Sequence, residues 1–253
     1  MIMNYNLWIS NEIFNCSIDT NFSDIIDKED WMRSYEIWEY SRTLIEDAQN
    51  DFHLADGITN LKRSFNQRLK LIEDLYRLKL IDFSNRPKGY LELLEKYGLV
   101  RPFIMKVLLT IRNDIEHNDA TPPNIERCKE LVDVVWYFLK STDHIVQKQN
   151  EGGTFNLLDE ENKNNKYWVE FEIDFTNNHN VSINGWLPKE LISFKEEDNY
   201  LKVDAIKIGG KKDYQNEGLH KDRLDNDIFF DGSLNLNADE KYILLKKYFT
   251  LYL

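Results

Sequence analysis

Cysteine is scarce in this chain of 253 residues: Cys16 and Cys128 stand alone, with no second cysteine or histidine at metal-ligand spacing. That excludes a disulfide framework and a Cys/His zinc site, and leaves both as reduced, packed thiols. Long apolar runs are missing as well. No stretch approaches the roughly 18 apolar residues that a membrane span needs, and the start, MIMNYNLWISNEIF, has neither a basic flank nor an extended apolar segment. No membrane partner and a cytoplasmic location are therefore expected. Clustered Asp/Glu/His ligand sets are lacking too, so neither a metal nor another cofactor is expected. Basic charge is in deficit, at a net −12, which taken alone argues against nucleic acid, since phosphate binding needs clustered Lys and Arg.

What is present has the composition of a soluble globular protein, with 42% apolar and 30% charged residues. The length suits one large domain or two modest ones, and two are favoured. The charge is unevenly spread. Residues 1 to 60 carry three Lys/Arg against twelve Asp/Glu, a balance of −9, whereas residues 61 to 112 carry twelve against five, a balance of +7. The plain explanation is the solvated faces of amphipathic helices.

Helical periodicity dominates from about residue 23 to 147. The first helix is marked by Ile26, Trp31, Tyr35, Trp38 and Leu44, with Ser23 as its cap. A second, from near Asp56 to about Leu80, has Leu61, Phe65, Leu69, Ile72 and Tyr76 every three or four residues, interleaved with Lys62, Arg63, Arg68, Lys70 and Arg77. YLELLEKYG is a short helix closed by Gly98, Pro102 opens the next, and Thr121-Pro122 starts a fifth that ends near Gln147. Residues 148 to 165, with a Gly pair and a polar run, form a linker or exposed loop. Beyond them KYWVEFEIDF alternates with a period of two, further short strand candidates follow, and ADEKYILLKKYFTLY closes the chain as a helix. Trp168, Trp186 and the phenylalanines near 229 are expected in the core. The expected architecture is α+β: an N-terminal arm (1 to 22), an all-α helical bundle (23 to 147), the linker, and a small α+β domain with a mainly antiparallel sheet (166 to 253).

The helix PFIMKVLLTIRNDIEHN ends in an arginine, an asparagine and a histidine. On a wheel of about 100° per residue, Val107, Leu108, Ile111 and Ile115 fall within roughly 60° of Ile104 and define a buried face, whereas Asn113 and His117 lie at roughly 180° and 220°. Arg112, at roughly 80°, sits at the edge of that face and about 140° from His117. Cations at a helix C-terminus are favoured by its dipole whatever their role. The same position suits an imidazole to proton transfer and an arginine to bidentate contact with phosphate.

Arg112-Asn113, three further residues and His117, near the end of an apolar helix in an all-helical context, resemble the Arg-x4-6-His signature of the HEPN superfamily. The resemblance covers roughly residues 23 to 147, including the long basic helix and the Pro-initiated helix after the motif. It implies a metal-independent endoribonuclease that acts as a homodimer, with the motif helices of two protomers lining one cleft. In that scheme His117 takes the proton of a ribose 2′-hydroxyl, Arg112 opposes charge on the phosphorane, and Asn113 orients the histidine or contacts phosphate. The products are a 2′,3′-cyclic phosphate and a 5′-hydroxyl. Lys62, Arg63 and Lys70 are the candidate RNA-binding residues. The biological setting implied is a toxin or an anti-phage defence effector, with an antitoxin or regulatory protein as a candidate partner. Toxins of this superfamily paired with a nucleotidyltransferase carry a tyrosine two residues after the motif histidine, where this chain has Asp119. The alternative is a HEPN-like nucleotide-binding or protein-interaction module that does not cleave.

Overall fold

The computed structural model describes residues 5–19, 23–118, 120–157, 166–214 and 223–250. The chain forms two compact units. One comprises Met1–Asp24, Leu80–Ser84 and Asn150–Leu251, the other Ile25–Lys79, Asn85–Gln149 and Tyr252–Leu253.

The first unit is built on a sheet that begins before any long helix. Strands β1 (Tyr5–Ser10) and β2 (Ser17–Asp19) precede the helices, and β3 (Ser23–Ile25) leads into them. After the helices come β4 (Lys148–Asn150), β5 (Gly152–Leu157), β6 (Tyr167–Asp174), β7 (Asn180–Leu187), β8 (Ile192–Ser193), β9 (Tyr200–Gly210) and β10 (Ile228–Leu234). Eight of these make one sheet in the order β2-β5-β6-β7-β10-β9-β1-β8, while β3 and β4 form a separate two-stranded ribbon. Every neighbouring pair in the large sheet is antiparallel.

An all-α bundle followed by a small α+β domain is therefore not the architecture. The N-terminal residues are integral to the sheet: Leu7 lies opposite Val203 and Ile9 opposite Leu201, and β2 pairs with β5. The physical reason lies in the alternation of YNLWIS, which drives Leu7 and Ile9 to zero exposure. The helices interrupt this sheet instead of preceding it. Within the stretch expected to be a linker or loop, Gly152–Leu157 is an inner strand, paired to β2 on one side and β6 on the other.

On one face of the sheet the alternating residues Val169, Phe171, Val181, Ile183, Val203 and Phe230 are buried. The closing helix α6 (Ala238–Thr250) contributes Leu244, Leu245, Tyr248 and Phe249 to the same core. Tyr248 anchors it, with its ring 5.8 Å from that of Phe175 and its hydroxyl donating to the Asn150 carbonyl at 2.5 Å.

The second unit contains α1 (Lys28–Glu46), α2 (Asp51–Tyr76), α3 (Tyr90–Lys96), α4 (Phe103–Asn118) and α5 (Ile125–Gln147). Their ends follow capping chemistry. The Asn50 side chain accepts from the His53 amide at 3.1 Å, so α2 starts earlier than its apolar stripe suggests. Asn124 likewise caps α5 through the Arg127 amide at 2.9 Å. At the end of α3, Gly98 has φ 82°, and the Leu99 amide reaches back to the Leu94 carbonyl at 3.0 Å. Helices α1 and α2 approach so closely at Gly57 that a Cβ there would lie 2.5 Å from Ile45 Cγ1.

The core of this unit combines Ile58, Leu61, Phe65 and Ile72 of α2 with Leu131, Val135 and Leu139 of α5. Phe65 and Phe138 meet edge-on at 4.6 Å. Arg68 is enclosed among them at zero exposure. Its Nη1 donates to the Leu139 carbonyl (3.0 Å), Thr142 Oγ1 (3.1 Å) and Asp143 Oδ1 (3.0 Å), and its Nε and Nη2 each reach Ser34 Oγ at 3.3 Å.

Candidate functional site

Helix α4 starts from the Pro102 carbonyl, which accepts from the Lys106 amide at 3.0 Å. An ion pair between Lys106 and Glu92 at 2.6 Å ties its first turns to α3. Met105 and Leu108 are buried, and Ile111 and Ile115 are half-buried. The side chain of Ile104 and the whole of Asp119 lie outside the described residues.

At the far end Arg112 lies at the rim of the packed face, its side chain 19% exposed. The guanidinium is ion-paired with Glu116 one turn on, and its Nη1 donates to Asn113 Oδ1 at 3.3 Å. Its Nε is buried and has no hydrogen-bond partner among the described residues. Asn113 and His117 are both exposed. Across the interface with α2, burial and the positive charge of Arg112 push the Lys62 ammonium below the ordinary lysine range.

The structure thus gathers Arg112, Asn113 and Glu116, with His117 on the outward side of the same helix end and Lys62 across on α2. It does not gather the other two basic candidates around them. Arg63 is exposed and donates to Asn60 Oδ1 at 2.9 Å. Lys70 is also exposed, and it is about 12 Å along α2 and about 80° round from Lys62. Arg68, which the sequence places among these surface cations, is the core arginine described above.

The aromatic residues of α1 and α5 form a feature that the spacing of the motif does not announce. Two adjoining clefts of about 500 and 460 Å³ run between these helices and share Trp38, which donates from Nε1 to the Val132 carbonyl at 2.9 Å. Trp136 and Tyr137 line one, Trp31 and Tyr35 the other. Their cations are already engaged: Arg42 with Glu39 and Glu46, and Lys140 with Asp143 at 3.5 Å. The clefts therefore offer stacking surface with little free positive charge. No protein-family model, curated protein or solved structure matches this chain.

Proposed function

We propose that the protein is a metal-independent endoribonuclease of HEPN type, acting as a toxin or anti-phage effector, with RNA as its substrate. The observation that supports it is Arg112 in contact with Asn113 at the end of α4, with Asn113 and His117 both exposed there. A guanidinium at a helix end with a second cation across from it is a place where a phosphate oxyanion is favoured. An exposed imidazole one and a half turns along is free to move protons.

In the reaction, His117 removes the proton from a ribose 2′-hydroxyl. The 2′-oxygen bonds to the adjacent phosphorus, Arg112 and Lys62 oppose the charge that builds on the phosphorane, and the bond to the 5′-oxygen breaks. The leaving oxygen takes its proton from the equivalent histidine of a second copy. A 2′,3′-cyclic phosphate and a 5′-hydroxyl remain. Because Arg112 and His117 lie on different faces of one helix, a two-fold dimer through α4 is the arrangement that would bring both to one phosphate.

The Arg112–Glu116 pair favours a second reading, a module that binds nucleotide or protein without cleaving, since the arginine is occupied in the isolated chain. Incubation with total RNA in EDTA, beside His117→Ala, separates the two. Cleavage in EDTA that leaves cyclic phosphate ends and is lost in the variant supports the nuclease, while intact RNA with both proteins supports the module.

A further inference from the structure

The sheet unit contains a buried arginine of a different kind from Arg68. Arg223 is 5% exposed, and its guanidinium carbon lies 4.2 Å from the centroid of the Trp186 ring. Among the described residues, two of its nitrogens, Nε and Nη1, are buried without a hydrogen-bond partner. They belong to different edges of the planar fork, so the described residues leave both edges incompletely filled. Arg68 shows what a buried guanidinium receives elsewhere in the same chain: backbone, hydroxyl and carboxylate acceptors together. A buried charge left without acceptors is costly.

The nearby carboxylate does not remove that cost. Asp227 Oδ1 accepts from the Tyr167 hydroxyl at 3.0 Å, and Oδ2 accepts from the Leu224 amide at 2.7 Å with Lys166 at 3.5 Å. Asp213 is turned to the Gly210 amide at 2.8 Å. Lys211 adds a third cation, donating to the Arg223 carbonyl at 2.7 Å. Lys166, Lys211 and Arg223 thus converge in a chain whose net charge is −12.

The surface beside them is aromatic. Trp168, Trp186 and Phe229 are cross-strand neighbours on β6, β7 and β10, so their side chains share the face opposite Val169 and Phe171. Trp168 and Phe229 are half-exposed, not core residues as their apolar character suggests. The Tyr214 ring lies 5.9 Å from Trp186 and 4.7 Å from Phe229.

We infer that this end of the outer sheet face is a nucleotide-binding site, with the phosphate on Arg223 and the base against the aromatic row. A guanidinium fork matches a phosphate bidentately, and a ring surface beside it suits a flat base whatever its identity. Every residue invoked belongs to the sheet unit, so the site stands or falls independently of the ribonuclease proposal.

The test is a thermal-shift and calorimetric titration of the full chain with 5′-AMP, adenosine, inorganic phosphate and a 5′-phosphorylated trinucleotide. AMP is expected to raise the Tm and to bind at least tenfold more tightly than adenosine or phosphate. Arg223→Met and Arg223→Lys should lose that binding, and His117→Ala should keep it. Because Nε and Nη1 of the native arginine find no acceptor among the described residues, ligand-free Arg223→Met should melt at the same or a higher temperature than the native chain. Tighter binding of the trinucleotide than of AMP assigns an RNA end, and weaker or equal binding assigns a free nucleotide. No shift with AMP at millimolar concentration, phosphate binding as tightly as AMP, or unchanged AMP binding by Arg223→Met would each overturn the proposal.

Discussion

Arg68 and Asp143 form an ion pair at 3.0 Å in which the arginine side chain is fully enclosed and the carboxylate is 15% exposed. Tyr35 completes it from α1, donating to the second carboxylate oxygen at 2.8 Å, and burial, together with that hydrogen bond and the charge at Asp143, holds the Tyr35 phenol well above its ordinary range. Three helices therefore share one polar contact inside an apolar core.

Removing one member strands the other. Asp143→Ala should cost about 3–5 kcal/mol, the usual penalty for an uncompensated buried charge, whereas adding Arg68→Met to it should recover part of the loss. Urea unfolding of both single variants and the double variant measures this. Additive losses would show that the two residues stabilise the unit separately.

At the motif, ground-state binding and chemistry should divide between residues. Lys62→Gln should weaken RNA binding and flatten its salt dependence by about one log-log unit if one phosphate contact is lost, with Arg63→Gln and Lys70→Gln having smaller effects. His117→Ala should abolish cleavage while leaving affinity within a few fold. Filter binding across a salt series, with cleavage measured in parallel, tests the separation, and equal defects in all four variants would refute it.

Cys128 supplies a pH dependence. It is fully buried, its thiol faces the Pro123 carbonyl at 3.4 Å, and burial pushes its pKa up to about 11 from an ordinary 9.0. The folded state therefore holds the proton more tightly than the unfolded chain. The stability this confers is complete below pH 9 and is lost as the pH climbs towards 11. Urea midpoints measured from pH 8 to 11 should fall more steeply for the native chain than for Cys128→Ala, and the thiol should resist alkylation until the protein is unfolded.

Leu7 tests the place of the N-terminal residues in the sheet. Leu7→Ala should destabilise the sheet unit by about 2–5 kcal/mol, as for other fully buried leucines. Asn6→Ala, on the exposed face of the same strand, should change stability by less than about 0.5 kcal/mol. Equal effects in chemical denaturation would place β1 outside the core.

The helices were legible in the sequence because their apolar stripes run for many turns, and α6 and the strands β6, β7, β9 and β10 because their signals are long or bounded by turn residues. β1 and β2 were not, since each is short and its partner lies far along the chain: β1 pairs with β9 and β8, and β2 with β5. A strand that has no hairpin partner beside it resembles an arm. The burial of Arg68 is hidden in the sequence for another reason. The buried positions of α2 run Leu61, Phe65, Arg68, Ile72 and Tyr76, so the arginine occupies the middle of the stripe that Leu69, only half-buried, was expected to hold. Residue type outweighed position in that expectation, yet position predicts the burial. The motif residues Arg112, Asn113 and His117 fall where the wheel puts them, but the proximity of Lys62 to Arg112 depends on how α2 and α4 pack, which neither periodicity records.

The separation of β2 from β5 also orders events during synthesis. About 130 residues lie between Asp19 and Gly152, and at roughly 5–20 residues per second a ribosome needs roughly 7–26 seconds to make them. Helices form within microseconds, so the α1–α5 segment is complete and able to pack while β1 and β2 are still waiting for partners. For that interval the two earliest strands have unpaired backbone edges and an exposed pair of aliphatic side chains, Leu7 and Ile9. A nascent chain of this kind is a natural client for a chaperone that holds extended segments near the ribosomal exit.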